Sequence, residues 1–289
     1  MANNNFNNTE NIIFKTLNSA NTRNIWFSVD LLEIFSLLNF KKKVEINNFL
    51  NETFEILIQI GKKFDNCFIA AFNNDFPKCL YFNTLLSKPY IGSFSKFIFS
   101  KKYKFRTLHP FYSFYNFGNS NSNFEENKYI DSFGENSIFN FMIKNKFKLI
   151  TLGHHYVKSF PIIHHIENLI NVNYRKEVFF KGVISDNKNE FKNTFNYYFR
   201  EIDICDGSGL TFNALTQLRL NEIVHLEKFK IKEKKIFSYQ VDLNKCTDFI
   251  LTKHSKNNIL VDYFHEENFH NKNFVKDSDG KLLYRKLLI

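Results

Sequence analysis

The stretch from Ser159 to Arg175, SFPIIHHIENLINVNYR, places two histidines and a glutamate inside an apolar run. On a helix, His164 and Glu167 lie on one face, about one turn apart. A histidine beside a carboxylate at the rim of an apolar wall could act as a general base near neutral pH. The same spacing also fits an ordinary amphipathic helix with a solvated side, so the pair alone leaves both interpretations open.

The apolar residues around this pair predict which side of the helix is buried. One flank with helical spacing is formed by Ile162, Ile163, Ile166, Leu169 and Ile170. His165 falls toward this flank, which predicts a packed histidine.

The cysteines and the apolar runs indicate the class of protein. Four cysteines, Cys67, Cys79, Cys205 and Cys246, are scattered without a C-x-x-C pair. This pattern predicts free thiols in a reducing compartment and argues against a disulfide scaffold or a zinc site. No apolar run approaches the roughly 18 residues of a membrane span, and the first residues lack a leader pattern. We therefore expect a cytoplasmic protein with no membrane span.

The formal net charge of +10 favours an anionic partner or substrate. The basic clusters at 40–45, 100–106 and 229–237 are short and dispersed, and none matches a known nucleic-acid-binding module. A non-catalytic nucleic-acid-binding protein would need a continuous basic face and is the less favoured alternative. A nucleotide-bearing small molecule fits the charge equally well.

Apolar runs alternate with helical patterns along the chain, which predicts an α/β fold. Strands are expected within 25–35, 66–72 and 147–153, and helices within 51–61, 92–103, 137–145 and from Pro161 onward. Two strands are predicted after residue 171, followed by a helix over 210–227. Residues 1–12 are Asn-rich and predict a disordered tail, which leaves 13–289 as a single domain.

Four blocks in order along residues 25–175 resemble the aminoglycoside 3-N-acetyltransferase family, also called the antibiotic N-acetyltransferases. They are NIWFSVDLLEIF, GKKFDNCFIAAFNNDF, RTLHPFYSFYNFG, and GENSIFNFMIKNKFKLITLG followed by HHIE. The resemblance implies a central mixed β-sheet flanked by helices and acetyl-CoA as the acetyl donor. It also implies that His164 is the general base and that Glu167 orients it.

The resemblance further implies a CoA site built from the first and third blocks. Its residues are Ser28, Val29, Asp30, Leu31, Arg106, Thr107, His109 and Ser113. Backbone N–H groups at Val29, Asp30 and Leu31 are expected to cradle the pyrophosphate or pantetheine. Arg106 suits a phosphate or a surface salt bridge, and Thr107 and Ser113 could add hydroxyl contacts. His109 could equally touch the ligand or be a packed turn residue.

Acceptor contacts are expected in loops that follow predicted strands. The candidates are Phe72, Asn74, Asp75 and His155. His154 and His155 follow the strand-ending Gly153 and, together with His164 and His165, suggest a metal, but nothing in the sequence fixes three convergent ligands, so no metal is expected. No cysteine or serine lies in a nucleophile motif, which favours direct transfer, with an intermediate on Cys67 or Cys79 as the minor alternative.

The acceptor is expected to be a small molecule that carries an amine. This sequence departs from the family pattern at Ser28-Val29, at Ala70-Ala71 and at Pro161-Ile162. The HHIE block resembles that of sugar-biosynthesis members of the family. With these departures and the positive charge, this resemblance favours a nucleotide-linked aminodeoxy sugar used in surface polysaccharide synthesis, such as O-antigen or capsule. An aminoglycoside antibiotic, a polycation, is the alternative acceptor. A homo-oligomer is compatible with the sequence, which does not give its order.

Overall fold

The secondary structure alternates between strands and helices along most of the chain. The computed structural model describes residues 12–120, 130–186, 188–200, 207–231, 233–254, 260–263, 274–276 and 282–284. The strands are β1 (Asn24–Val29), β2 (Asn66–Ala70), β3 (Tyr81–Asn83), β4 (Phe114–Asn116), β5 (Lys148–Leu152), β6 (Arg175–Ser185), β7 (Glu190–Arg200), β8 (Gly207–Leu210), β9 (Val224–Ile231), β10 (Lys234–Asp242), β11 (Leu260–Tyr263), β12 (Phe274–Lys276) and β13 (Leu282–Tyr284). The helices are α1 (residues 12–18), α2 (Leu31–Leu38), α3 (Lys43–Gly61), α4 (Phe76–Cys79), α5 (Ser93–Ser100), α6 (Ile138–Lys144), α7 (Ile162–Leu169), α8 (Phe212–Leu220) and α9 (Leu243–His254).

A mixed sheet of six strands carries the fold, in the order β4-β2-β1-β5-β10-β9. Strand β1 pairs in parallel with β2 and with β5, whereas β4, β10 and β9 join antiparallel to their neighbours. Strands β2 and β5 are almost continuously buried, as expected for parallel strands covered on both faces. The predicted α/β fold with a central mixed sheet flanked by helices is confirmed.

Alternate residues of β1 point into two separate apolar cores, which follows from the two-residue period of a strand. Trp26 packs with residues of α6, α7 and α9 on one face of the sheet. Ile25 and Phe27 pack with residues of α1, α2 and α3 on the other. Both faces of the sheet are therefore covered by packed side chains, so a ligand can bind only at an edge of the sheet.

A smaller sheet with the order β3-β6-β7 packs beside the first. Strand β6 pairs antiparallel with β7 over its whole length, from Arg175 opposite Arg200 to Ser185 opposite Glu190. Buried aromatic residues, among them Phe76, Phe111 and Phe195, form its own core. This sheet brings residues of the second half of the chain next to α7.

Several boundaries differ from the prediction. The helix predicted over 210–227 is wrong beyond Leu220, because Glu222 adopts a positive φ of 56° and residues 224–231 pair with β10 instead. Leu169, predicted on the apolar flank, is 44% exposed at the end of α7. Residues 1–11 of the predicted tail lie outside the described residues, and Ile12 is buried in α1. No helix in the described part of the chain is long and apolar enough to cross a membrane.

Candidate active site

A cavity of about 760 Å³ opens where the parallel strands β2, β1 and β5 end. Its wall includes the turn after β1, the residues that follow β2 and the loop that follows β5. Because parallel strands end at one edge of a sheet, the loops that follow them converge there. The volume lies within the range of small-molecule sites.

The turn after β1 is held by its own hydrogen bonds. Asp30 caps α2, because its Oδ1 accepts hydrogen bonds from the N–H groups of Leu32 and Glu33 at 3.0 and 3.2 Å. The N–H of Asp30 donates to the carbonyl of Leu152 at 2.9 Å. This N–H is therefore not free to hold a cofactor, contrary to the prediction. Ser28, Val29, Asp30 and Leu31 nevertheless all line the cavity.

Gly153 lets the loop after β5 pack closely against this turn. Its φ is +84°, and a Cβ there would lie 3.2 Å from the carbonyl oxygen of Asp30. A side chain at this position would be strained and crowded. The approach of β5 to the turn after β1 therefore depends on glycine.

His154, and not the predicted His155, lies in the cavity wall. The His154 Nε2 atom is 2.9 Å from Ser159 Oγ and 3.3 Å from Ser28 Oγ, and the Ser28 hydroxyl donates to Ser159 Oγ at 2.9 Å. His155 does not line the cavity, because its ring packs on Tyr156 and Tyr239 with centroids 4.5 and 4.6 Å away. The sequence signal for His154 was its place directly after Gly153.

The predicted pair of His164 and Glu167 forms a hydrogen bond on α7. The His164 Nδ1 atom lies 2.8 Å from Glu167 Oε2. The His164 side chain is 30% exposed and lines the cavity, whereas the Glu167 side chain is fully buried. A donor N–H on Nδ1 leaves Nε2 as the nitrogen that can accept a proton.

Glu167 is held by three further side chains that the sequence did not indicate. Its Oε1 accepts hydrogen bonds from the Tyr174 hydroxyl at 3.0 Å and from the Ser208 hydroxyl. Its Oε2 lies 2.7 Å from Nε of Arg175, whose side chain is 7% exposed. Tyr174 and Arg175 are neighbours that follow α7, and Ser208 lies 41 residues from Glu167, so the helical spacing that pairs Glu167 with His164 does not reveal them.

The protonation states of His164 and Glu167 follow from the groups around them. Burial by itself raises the pKa of Glu167, but the His164 hydrogen bond, Arg175 and Ser208 outweigh it, so that the pKa is lowered. Burial lowers the pKa of His164; Glu167 opposes this effect, and Arg175 adds to it. At neutral pH the carboxylate is therefore charged and the imidazole is neutral. A neutral imidazole can take a proton.

Arg106 is buried and does not line the cavity. Its guanidinium donates to Ser113 Oγ at 3.0 Å and to the carbonyls of Ala71 at 2.7 Å, Thr84 at 3.4 Å and Ser87. Burial lowers the pKa of Arg106 to about 10, so it stays charged at neutral pH. Its donors face backbone carbonyls and a hydroxyl, and they fasten the 84–87 loop to the end of β2. Its donors are thus occupied inside the protein, and no described carboxylate forms an ion pair with it, so the structure supports neither the predicted phosphate contact nor the surface salt bridge.

Replacing Arg106 with lysine is expected to lower the free energy of unfolding by about 3 kcal/mol and to leave CoA affinity unchanged. An ammonium group cannot reproduce the fork of hydrogen bonds. Urea unfolding and calorimetric titration with CoA measure the two quantities. Arg23→Lys is the matched control, because that side chain is 80% exposed. A large loss of CoA affinity with unchanged stability would instead support the phosphate contact.

The remaining residues of the third block are also structural. Ser113 donates to the Ala71 carbonyl at 2.8 Å, and Thr107 Oγ1 accepts from the N–H of Phe114 at 2.9 Å. His109 is 1% exposed, and its Nδ1 accepts from the N–H of Tyr112 at 2.9 Å. His109 is thus a packed turn residue, the second of the two interpretations that its sequence allowed.

His109 is expected to make the protein less stable in acid. Burial lowers the pKa of His109 to about 3. A depressed folded pKa gives stability that is complete above the unfolded value of about 6.5 and is lost as pH falls toward 3. Between pH 7.5 and 5, His109 alone should cost about 2 kcal/mol of unfolding free energy.

Urea unfolding of His109→Asn at both pH values checks this expectation. Asparagine keeps an acceptor for the turn and does not titrate, so the variant should lose about 2 kcal/mol less than the wild type. His225→Asn, at a side chain that is 67% exposed, should lose as much as the wild type. Equal losses in His109→Asn and the wild type would contradict the assignment.

The predicted acceptor contacts divide into two groups. Phe72 and Asn74 line the cavity. Asp75 does not line it, and forms a solvent-exposed ion pair with Lys78 at 3.7 Å. Tyr112 and Tyr197, which the sequence did not single out, add aromatic rings to the wall.

The cysteines with described positions do not reach the cavity. Cys67 is fully buried, and burial raises the pKa of its thiol to about 12. Cys79 is exposed but lies in α4, away from the cavity wall. Neither thiol is therefore placed in the cavity wall, where an attack on a thioester would take place. Within the described ranges, no three His, Cys, Asp or Glu side chains converge as a metal site requires.

The chemistry of the wall fits coenzyme A. The exposed Lys158 supplies a cation for a phosphate group. Leu32 and Ile91 line the cavity although they are 73% and 41% exposed, and they suit an aliphatic pantetheine arm. His164 lies in the same wall, where a thioester would need to meet an amine.

Comparison with known proteins identifies similar sequences and folds. The sequence model of a family described as aminoglycoside 3-N-acetyltransferase matches residues 68–251, more than half of the chain. No curated protein sequence matches.

Several solved structures share the fold. Aminoglycoside acetyltransferase AAC(3)-IIb is 14% identical, with a TM-score of 0.61 over 86% of this chain and 97% of that one. AAC-IIIb in a binary complex with CoASH is 14% identical, with a TM-score of 0.58 over 81% and 90%. AAC-VIa bound to sisomicin is 11% identical, with a TM-score of 0.56 over 83% and 94%. At such identities the structures establish the shared fold.

Proposed function

Because the chain belongs to the aminoglycoside 3-N-acetyltransferase family and is therefore an acetyltransferase with acetyl-CoA as donor, we propose that it acetylates an amine of an aminated sugar by direct transfer. The observation that carries the proposal is the His164–Glu167 hydrogen bond of 2.8 Å in the wall of the cavity. His164 is the general base, and Glu167 orients it.

His164 and Glu167 have different roles in the proposed proton transfer. Acetyl-CoA, when bound, supplies a thioester carbonyl carbon, so that a C–N bond to the amine forms and the C–S bond breaks. His164 Nε2 takes the proton that the amine nitrogen loses. Glu167 accepts the Nδ1–H, which fixes the tautomer and stabilises the imidazolium as it forms. The imidazolium then returns the proton to the departing thiolate or to water.

Lys158 and the apolar wall are proposed to hold the donor. Lys158 is the cation of the described wall that can reach a phosphate, in place of the predicted Arg106. Leu32 and Ile91 would contact the pantetheine arm. The hydroxyls of Ser28 and Ser159, joined to His154, offer polar contacts beside it.

The first acceptor candidate is an aminoglycoside. The matching family is described by this activity, and this support outweighs the charge argument that favoured a nucleotide-linked sugar. The second candidate remains a nucleotide-linked aminodeoxy sugar, because the described cavity wall is not acidic. The carboxylate that lines it, that of the half-buried Asp30, is accompanied by Lys158, and Glu167 lies behind the wall with its charge paired with Arg175.

A panel of acceptors tests the proposal and separates the two candidates. Thiol release from acetyl-CoA is followed with kanamycin-type aminoglycosides and with nucleotide-linked 3-amino and 4-amino sugars, and each product is identified by mass. Turnover on aminoglycosides would support the first candidate, and turnover on a nucleotide sugar the second. Thiol release that is independent of every amine would contradict acetyl transfer to this class.

A further inference from the structure

Arg175 is the buried cation of the His164 site. Its Nε lies 2.7 Å from Glu167 Oε2, and its Nη2 lies 2.9 Å from His164 Nδ1. Its side chain is 7% exposed, and the guanidinium packs over the Tyr198 ring at 5.6 Å. Arg175 therefore contacts both members of the pair and has little access to water.

The two contacts at His164 Nδ1 favour opposite protonation states. Glu167 Oε2, at 2.8 Å, favours an N–H on this nitrogen. Nη2 of Arg175 is a donor and opposes an N–H there, so it works against the doubly protonated ring; in the neutral ring the carboxylate holds the Nδ1–H, and Nε2 keeps the lone pair. A protonated imidazole would place a second positive charge 2.9 Å from a buried guanidinium. Because like charges in a poorly solvated site repel strongly, this arrangement opposes protonation of the ring.

We propose that Arg175 is a positioning residue that keeps the His164 imidazole neutral at working pH, by neutralising Glu167 and by facing Nδ1. The inference rests on the proposed role of His164 as a base. A buried carboxylate without a compensating cation raises the pKa of its histidine partner, and a protonated ring cannot accept the proton of an amine. By opposing protonation of the ring, Arg175 leaves His164 able to accept the proton of the amine.

The other groups around His164 agree with this role. Glu167, on the same helix, is the anion that attracts a proton to the ring, and Arg200 from β7 adds a second, weaker cationic influence. Phe133 approaches the ring edge-on at 5.9 Å and carries no charge. Arg175 is the cation in direct contact with the ring.

The test is an NMR titration of His164 in the protein without substrates, with the resonance assigned through His164→Gln. In Arg175→Met the His164 pKa should rise by about one unit or more above that of the wild type. Arg23→Met removes the same charge from a surface side chain that is 80% exposed, and should leave the pKa of His164 unchanged. An unchanged His164 pKa in Arg175→Met would overturn the proposal.

The pH dependence of turnover gives a second readout. Relative to the wild type, Arg175→Met should lose about tenfold in kcat at acidic pH, below both His164 pKa values, and recover to within about threefold at pH 9, where the ring is neutral in both proteins. A loss of equal size at every pH would mean that Arg175 only supports the structure, and would overturn the proposal.

Glu167→Gln gives an independent test if Arg175→Met does not fold. Arg175 then faces the ring without a carboxylate, so the His164 pKa should fall below that of the wild type. A rise in this variant would contradict the role of Arg175. The titration needs no acceptor, so a failure of the acetyl-transfer proposal can be recognised separately from a failure of this one.

Discussion

Replacing His164 with glutamine should reduce kcat for acetyl transfer by about three orders of magnitude, because glutamine cannot take the proton of the attacking amine. Glutamine is similar in size and can still donate to Glu167, so the site should keep its shape. The affinity for CoA is therefore expected to stay within about twofold of the wild-type value. Steady-state kinetics and calorimetric titration with CoA measure the two effects.

The matched control is His225→Gln, the same exchange on β9 at a side chain that is 67% exposed. Its kcat should equal that of the wild type. If His164→Gln turned over at the wild-type rate, the assignment of His164 as the base would be wrong. A loss that appeared only in KM would indicate a binding role in place of proton transfer.

Replacing Glu167 with glutamine should lower both stability and turnover. The side chain is fully buried and paired with Arg175, so the exchange leaves a buried guanidinium without its anion. Breaking such a pair typically costs 3–5 kcal/mol of unfolding free energy, and we expect a loss of about this size. The kcat should fall by about 10- to 100-fold, because the imidazolium loses its carboxylate.

Urea unfolding and kinetics at fixed pH check this double effect. Glu55→Gln, at an exposed position of α3, is the matched control and should change the unfolding free energy by less than about 0.5 kcal/mol. If Glu167→Gln were as stable as the wild type, the ion pair between Glu167 and Arg175 would contribute nothing to the free energy of unfolding. The account of a charge-balanced site would then be contradicted.

Local patterns predicted the central pair because the pair is local. His164 and Glu167 are three residues apart on one helix, and helical spacing alone brings them together. The strands that position the cavity were predicted for the same reason: 25–29, 66–70 and 148–152 lie in short, largely apolar runs.

The partners of Glu167 could not be predicted, because they meet it only in the folded chain. Ser208 is 41 residues away, and Arg175 begins a strand whose place beside α7 depends on the smaller sheet. Charge and spacing likewise could not show that Arg106 is buried among carbonyls. His154 and His155 are neighbours in sequence, and only the backbone path after Gly153 decides which of them lines the cavity.

The central claim is direct transfer of an acetyl group to an amine by a site with His164 as base. The most direct test mixes the protein with acetyl-CoA, first without and then with an accepted amine, and follows the intact protein and the acceptor by mass spectrometry. We expect no acetylated protein at any time, acetylated acceptor only in the presence of the amine, and loss of that product in His164→Gln. An acetylated protein that passes its acetyl group to the amine, or undiminished product from His164→Gln, would contradict the account.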